Sequence, residues 1–332
     1  MEYTISREKK IAMIFPFFGK KPEWFDFFLL SCSRNIEIDW IFFSDCLNSI
    51  KVYQNIFFHP MTLSEFNDLA TKQLGFVISI KYPYKICDLK PAYGKIFHDY
   101  IRNYPYWGYG DIDLIFGDIL KFLPDDWLGK YDLVSNDIEF IPGHLCILRN
   151  SPEVVNLFKQ SSIYQKIFQS PVIYSFDEVS HWIKIIPSKM LLIPTKFLKN
   201  QYIIKSKMFV AFCKKYSLLK RLRKIRHLRN KGNYNPVLKD FTSIIKFNLQ
   251  LKNIGVLSQK QYICDITLNK KKFKNWQIIW DNGQLFIKEP RQEVIYYHFL
   301  IRKYKKDFKI DNFNTDADID RFIISNEGIK NL

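Results

Sequence analysis

Glycine is scarce: the 332 residues hold only 12, so a glycine inside a motif needs a local reason. A collagen-like or low-complexity chain is excluded at the same stroke. The six cysteines include no CxxC pair, which excludes a zinc ribbon and a thioredoxin-like motif. They stand singly in apolar surroundings, as reduced buried thiols of a cytoplasmic protein do. No apolar run reaches the roughly 18 residues that suggest a membrane-spanning helix. The charged start, Met1 to Lys10, and the early Pro16 do not read as a signal peptide. Acidic residues are also short, 33 against 50 Lys and Arg, leaving a net charge of +17. That balance favours anionic partners: phosphorylated substrate, acidic lipid or nucleic acid.

Apolar residues make up 47% and aromatics 17%, enough for a sizeable core. Ile11 to Phe15 reads as a buried strand, and Pro22 can open a helix running to Ser33. Ile38 to Phe43 and Ile56 to His59 are the next strands, the former ending at Ser44-Asp45. Thr62 and Glu65 have capping-box spacing, and the helix they open should end near Gly75. Asp88 to Ile101, Pro152 to Phe158 and Phe176 to Ile185 read as helices. Tyr106 to Gly110, Leu133 to Ser135 and Leu145 to Leu148 read as strands. The alternation predicts an α/β fold with a mostly parallel sheet flanked by helices. Asp281-Asn282-Gly283 predicts a hairpin between Trp276–Trp280 and Gln284–Lys288, with Glu293 to Phe299 adding a third strand. Between Lys214 and Lys231 stand nine Lys or Arg and no acid, with Leu218, Leu222 and Ile225 at helical spacing. This predicts a basic amphipathic helix suited to an anionic membrane surface. Nucleic acid is disfavoured, because only Tyr216 interrupts the aliphatic stripe. We divide the chain at 1–205, 206–235 and 236–332: a nucleotide-sugar and acceptor domain, the basic segment, and a hairpin-containing region packing back on the site.

Asp111-Ile112-Asp113 follows the aromatic strand, where an α/β sheet binds ligands. Two carboxylates two residues apart can hold a hard divalent cation, Mn²⁺ or Mg²⁺, that bridges a diphosphate. Gly108 and Gly110 would let the diphosphate come close. Asp45 ends the second strand, where a nucleoside could be held. Asp177-Glu178, at the start of the helix containing His181, offers a general base for an acceptor hydroxyl. Asn136 and Asp137 could line the acceptor side, and Lys85 and Lys95 read as solvated.

The acidic pair is the end of a longer motif, Trp107-Gly108-Tyr109-Gly110-Asp111-Ile112-Asp113, flanked by two more, Asp88-Leu89-Lys90-Pro91-Ala92-Tyr93-Gly94 and Phe116-Gly117-Asp118. Together they resemble bacterial GT-A-fold glycosyltransferases of surface polysaccharide synthesis, a group with D-x-K-P-x-x-G, W-G-Y-x-D-x-D and F-G-D. Gly143-His144-Leu145 through Asn150, and Tyr297-His298-Phe299 with Lys303, resemble later elements of that group. The resemblance spans roughly 8 to 305. It implies a GT-A-like, Rossmann-like sheet and transfer of a sugar from a nucleotide-sugar, UDP-linked by analogy. The implied acceptor is an oligosaccharide or lipid-linked glycan of capsule or lipopolysaccharide type, met at the inner face of the plasma membrane. The motifs also resemble retaining glycosyltransferases with D-x-x-R before G-G-x-Y-x-D-x-D; this chain has Lys for Arg and lacks the Gly-Gly pair. On that analogy Asp88 approaches the nucleoside and Lys90 the diphosphate, with Asp45, Trp107, Gly108 and Asp111 on the same side. Asp113 becomes the direct metal ligand, and His298 completes the metal shell or touches phosphate. The competing readings are a nucleotidyltransferase of the same fold and a non-catalytic basic protein that binds membrane or RNA. The first lacks its Gly-rich basic loop, since Pro16 to Pro22 reads PFFGKKP.

Overall fold

A computed structural model describes residues 10–46, 53–178, 240–258, 261–264, 276–300, 302–313 and 319–332. The expected basic helix and His181 lie outside them. The fold is mixed α/β, with a large, mostly parallel sheet flanked by helices. Its first three strands are β1 (Ile11–Phe17), β2 (Ile38–Ser44) and β3 (Ile56–Pro60). Then come β4 (Tyr106–Gly110), β6 (Leu133–Ser135), β7 (Leu145–Arg149) and β8 (Val256–Ser258). Their order is β3-β2-β1-β4-β7-β6-β8. The block from β3 to β4 is parallel, so the ends at Pro60, Ser44, Phe17 and Gly110 lie on one side. β7 runs antiparallel to both β4 and β6.

The period of two along β1 distributes its side chains between two cores. Ala12 and Ile14 pack with Tyr93, Phe97 and Trp107 on one face, while Ile11, Met13 and Phe15 pack with Phe28, Trp40 and Phe42 on the other. Helix α1 (Phe25–Ser33) is apolar nearly all round, and the reason is a third layer. Phe25, Phe28 and Leu29 face the large sheet, whereas Phe27 and Leu30 face a core built around Trp280 and Phe322. That core belongs to a second, six-stranded sheet formed by the C-terminal part of the chain.

The expected hairpin is there. Gln277–Asp281 and Gln284–Ile287 pair across Asn282 and Gly283, whose φ values of 44° and 90° suit the two-residue turn. The expected third strand divides. Gln292–Glu293 extends the hairpin, but β13 (Tyr296–His298) leaves it and pairs with β5 (Leu114–Phe116) and Ile263–Cys264. Helix α2 (Leu63–Leu74) has its Thr62/Glu65 capping box and a left-handed Gly75 at its end.

The continuous helix expected over Asp88 to Ile101 is replaced by a 3₁₀ segment, Pro83–Ala92, followed by single turns at Tyr93–Ile96 and His98–Ile101. Pro91 has no N–H to give and its ring crowds the preceding turn, which breaks α-helical continuity. Pro152–Val155 is likewise one short turn, followed by 3₁₀ residues Leu157–Gln160. Phe176 to Glu178 form a turn and bend, not a helix start.

Candidate metal and donor site

The acidic motif sits at the carboxyl end of β4, and two strand pairings build it. Asp111 gives its N–H to the carbonyl of His144 (2.9 Å), an extension of the β4–β7 ladder. Antiparallel pairing of β13 with β5 puts His298 opposite Leu114, beside Asp113. Trp24, from the turn before α1, gives its indole N–H to the carbonyl of Ile112 (2.9 Å) and so holds the loop between the two carboxylates. Asp111, Asp113 and His298 each present one donor atom, all within 4.8 Å of one another. Two carboxylates and an imidazole fit a divalent cation of the Mn²⁺ or Mg²⁺ type.

Each carboxylate also faces a lysine. Lys90 Nζ is 2.5 Å from Asp111 Oδ1 and gives a hydrogen bond to the Gly143 carbonyl at 2.8 Å. It stands 3.5 Å from Asp177 Oδ2. Burial works against charge on Lys90, but Asp111 and Asp177 outweigh it and hold the ammonium well above the usual lysine range. Lys303, from a 3₁₀ turn at Arg302–Tyr304, is ion-paired with Asp113. His298 Nε2 lies 3.3 Å from the same oxygen of Asp113. Burial opposes charge on both His298 and Asp113. Asp113, with a smaller contribution from Cys264, nevertheless pushes His298 up to about 10, while Lys303 and His298 hold Asp113 well below the carboxylate range.

A second acidic group adjoins the first through Lys90. Asp177 is buried and raised well above an ordinary carboxylate, first by burial and then by Glu178, Asp88 and Asp111 acting against Lys90. Glu178 Oε1 accepts the Gly143 N–H at 3.3 Å. Gly143 is required here: a Cβ would come within 2.2 Å of Asp177 Oδ2. The two residues considered for base chemistry therefore sit one lysine away from Asp111.

Several expected residues do other work. Asp88 is fully buried, and its carboxylate lies with Cys87 and Asp177 in a second group of possible metal-binding atoms. Its carboxylate accepts from Lys85 Nζ (2.7 Å) and from the backbone N–H groups of Tyr174 (2.9 Å) and Phe176 (2.8 Å). Lys85, read from sequence as solvated, is 1% exposed and also bonds the Ile167 and Val172 carbonyls. The pair pins the loop that delivers Asp177 and Glu178. Trp107 is wholly buried, and its ring lies where a Cβ on Gly94 would come within 2.5 Å. The two motifs are thus locked by packing and by the Lys90–Asp111 pair. Gly108 and Gly110 make room inside the sheet: Met13 and the Cys146 carbonyl crowd the first, Phe15 and the His144 carbonyl the second. Asp45 is exposed at the end of β2 and accepts the Gly19 N–H (3.0 Å), tying together the loops after β1 and β2.

Beside His298 lies a group in which the sequence reading places Asn136 on the acceptor side and gives His144, Tyr296 and Tyr262 no role. The His144 and His298 rings are 4.5 Å apart and tilted by 35°. His144 Nε2 is 2.8 Å from Tyr296 Oη, which accepts from Asn136 Nδ2 at 2.9 Å. Tyr262 stacks on Tyr296 at 5.4 Å. The sequence signals were the Gly143-His144-Leu145 motif and the alternation of Tyr296 and His298, which puts both on one face of a strand.

Among described residues no helix is long and apolar enough to cross a membrane. Comparison with solved structures gives partial similarities. One is to the galactosyltransferase LgtC in complex with donor and acceptor sugar analogs (14% identity, TM-score 0.31), covering 49% of this chain and 66% of that one. Another is to the glycosyltransferase GlyE of Streptococcus pneumoniae TIGR4 (12%, TM-score 0.29), covering 78% and 68%. A third is to mouse xyloside xylosyltransferase 1 (14%, TM-score 0.27), covering 49% and 72%. No curated protein matches the chain. Residues 13–217, well over half the length, match a family model described as a family of unknown function (DUF6625), and the chain belongs to that family.

Proposed function

We propose that this chain is a divalent-metal-dependent glycosyltransferase that moves a sugar from a nucleotide-sugar, UDP-linked by analogy, to a glycan acceptor. The observation that carries the reading is the meeting of Asp111, Asp113 and His298, from strands far apart in sequence, at the carboxyl end of a parallel sheet. A Mn²⁺ or Mg²⁺ ion held there would neutralise charge on the diphosphate as it leaves. Lys90 and Lys303 supply two ammonium groups beside the carboxylates, placed to take up phosphate charge. In the reaction the acceptor oxygen forms a bond to the anomeric carbon, the bond from that carbon to the diphosphate breaks, and the hydroxyl proton goes to a protein base. Glu178, bound to the Gly143 N–H beside Lys90 and Asp177, is the group we assign to the acceptor side. Asp45, at the end of β2 two strands away on the same side of the sheet, is assigned to the nucleoside. The net charge of +17 supports an acceptor on an anionic surface, such as a lipid-linked glycan of bacterial surface polysaccharide synthesis.

The test is a panel of nucleotide-sugars with Mn²⁺, read by thermal stabilisation and donor hydrolysis, with wild type beside Asp113→Asn. One donor should stabilise wild type and lose that effect in the variant. A flat response to every donor refutes the proposal.

A further inference from the structure

The His144 side chain has a place that neither sheet packing nor donor binding accounts for. Its backbone carbonyl holds the Asp111 N–H at 2.9 Å, while its ring packs on His298 at 4.5 Å. One residue therefore touches both arms of the candidate metal site: Asp111 from β4 and His298 from β13. Its ring is not free to turn. Nε2 is bound to Tyr296 Oη at 2.8 Å and lies 3.5 Å from Asn136 Nδ2. Tyr296 is two residues from His298 on the same strand, and is itself 1% exposed.

We infer that His144 is a positioning residue, locked by Tyr296 and Asn136 as the Nδ1–H tautomer, whose ring fixes the imidazole of His298 for metal binding. The inference rests on the metal-site reading given above. The hydrogen-bond direction follows from the partners. Asn136 Nδ2 can only donate, so the Tyr296 oxygen accepts there and its own hydrogen is available for His144 Nε2. Asn136 Nδ2, 3.5 Å from His144 Nε2, can likewise only donate, so both polar neighbours of that nitrogen require it to accept. Metal-binding histidines are oriented by neighbours that do not touch the metal, and loss of such a neighbour weakens binding by about 10- to 100-fold. Here the brace is a packed ring and not a direct hydrogen bond to His298, so the lower end of that range applies.

Two measurements test this. The first needs no variant: ¹⁵N spectra of the histidine side chains in the full chain should show His144 with a protonated Nδ1 and an unprotonated, hydrogen-bonded Nε2. A protonated Nε2 overturns the inference. The second uses Mn²⁺ alone, counted by the electron-spin resonance of the free ion. Tyr296→Phe keeps the ring and removes the hydroxyl; His144→Phe keeps a ring against His298 and removes the hydrogen bond. Each should weaken Mn²⁺ binding about tenfold, and the double variant should be no weaker than either single one. The rise in melting temperature that Mn²⁺ gives the wild type should shrink in each variant, which a purely structural role would not produce. Wild-type Mn²⁺ affinity in both single variants overturns the positioning role and leaves the metal reading intact. Failure of wild type itself to bind Mn²⁺ overturns the metal reading, and the inference falls with it.

Discussion

Asp88→Asn separates a structural aspartate from a nucleoside ligand. In the fold Asp88 is fully enclosed, Lys85 beside it is 1% exposed, and the ion pair is 2.7 Å long. Two backbone N–H groups of the 174–176 loop complete the carboxylate's partners. Asparagine can keep one of those acceptor bonds but turns an NH₂ toward the other donors and leaves the Lys85 ammonium buried without its counter-charge. Removing one partner of a buried pair costs about 3–5 kcal/mol. Against a total stability of about 5–15 kcal/mol, that is a third or more in most cases. With a urea slope of about 3 kcal/mol per molar, the unfolding midpoint should fall by about 1–2 M. Lys85→Met added to Asp88→Asn removes the stranded charge and should recover roughly half of the loss. The assay is urea unfolding followed by tryptophan fluorescence and circular dichroism. An unchanged midpoint for Asp88→Asn, accompanied by lost donor binding, would refute the argument and return Asp88 to the ligand face.

Other consequences can be measured on the same chain. Gly94→Ala drives a methyl within 2.5 Å of the Trp107 ring and should cost about 1–3 kcal/mol in urea unfolding, as overpacking does. Gly143→Ala displaces Asp177 and with it Lys90; donor turnover should fall on the order of 100-fold while circular dichroism stays native. The Asp113–His298 pair sets a pH window. The folded His298 value of about 10 exceeds its unfolded value of about 6.5, so its contribution is complete below about 6.5 and is lost as pH rises through about 10. Asp113 is depressed, so its contribution is present above about 3.9 and is lost as pH falls below that. Metal-free His298→Gln should therefore flatten the alkaline limb of the stability curve, measured by urea midpoints from pH 6 to 10.

Local signals were legible where neighbours in sequence are also neighbours in space. Thr62 and Glu65 cap one helix through bonds three residues apart, and Asn282-Gly283 turns one hairpin through its own φ preferences. The period of two in Ile11 to Phe15 likewise reports a strand with both faces covered. Pro91 was in view but was read through by the helical spacing around it; the break came from its missing N–H and ring, which the apolar pattern does not record.

By itself the sequence determined the alternation of strands and helices, and hence a parallel sheet with Asp111 and Asp113 at its carboxyl end. Burial was decided only by the tertiary structure. In the sequence Lys85 reads as solvated and Asp88 as a nucleoside contact, yet they form an enclosed pair because a loop more than 80 residues later closes over them. Trp107 and Gly108 look like ligand contacts, yet they are core, because Gly94 and Met13 occupy the space around them. His298 met Asp113, and His144 met His298, only when β13 left the hairpin and joined β5. The physical reason is the same in each case: charge and packing act through distance in space, and chain order fixes that distance only within a few residues.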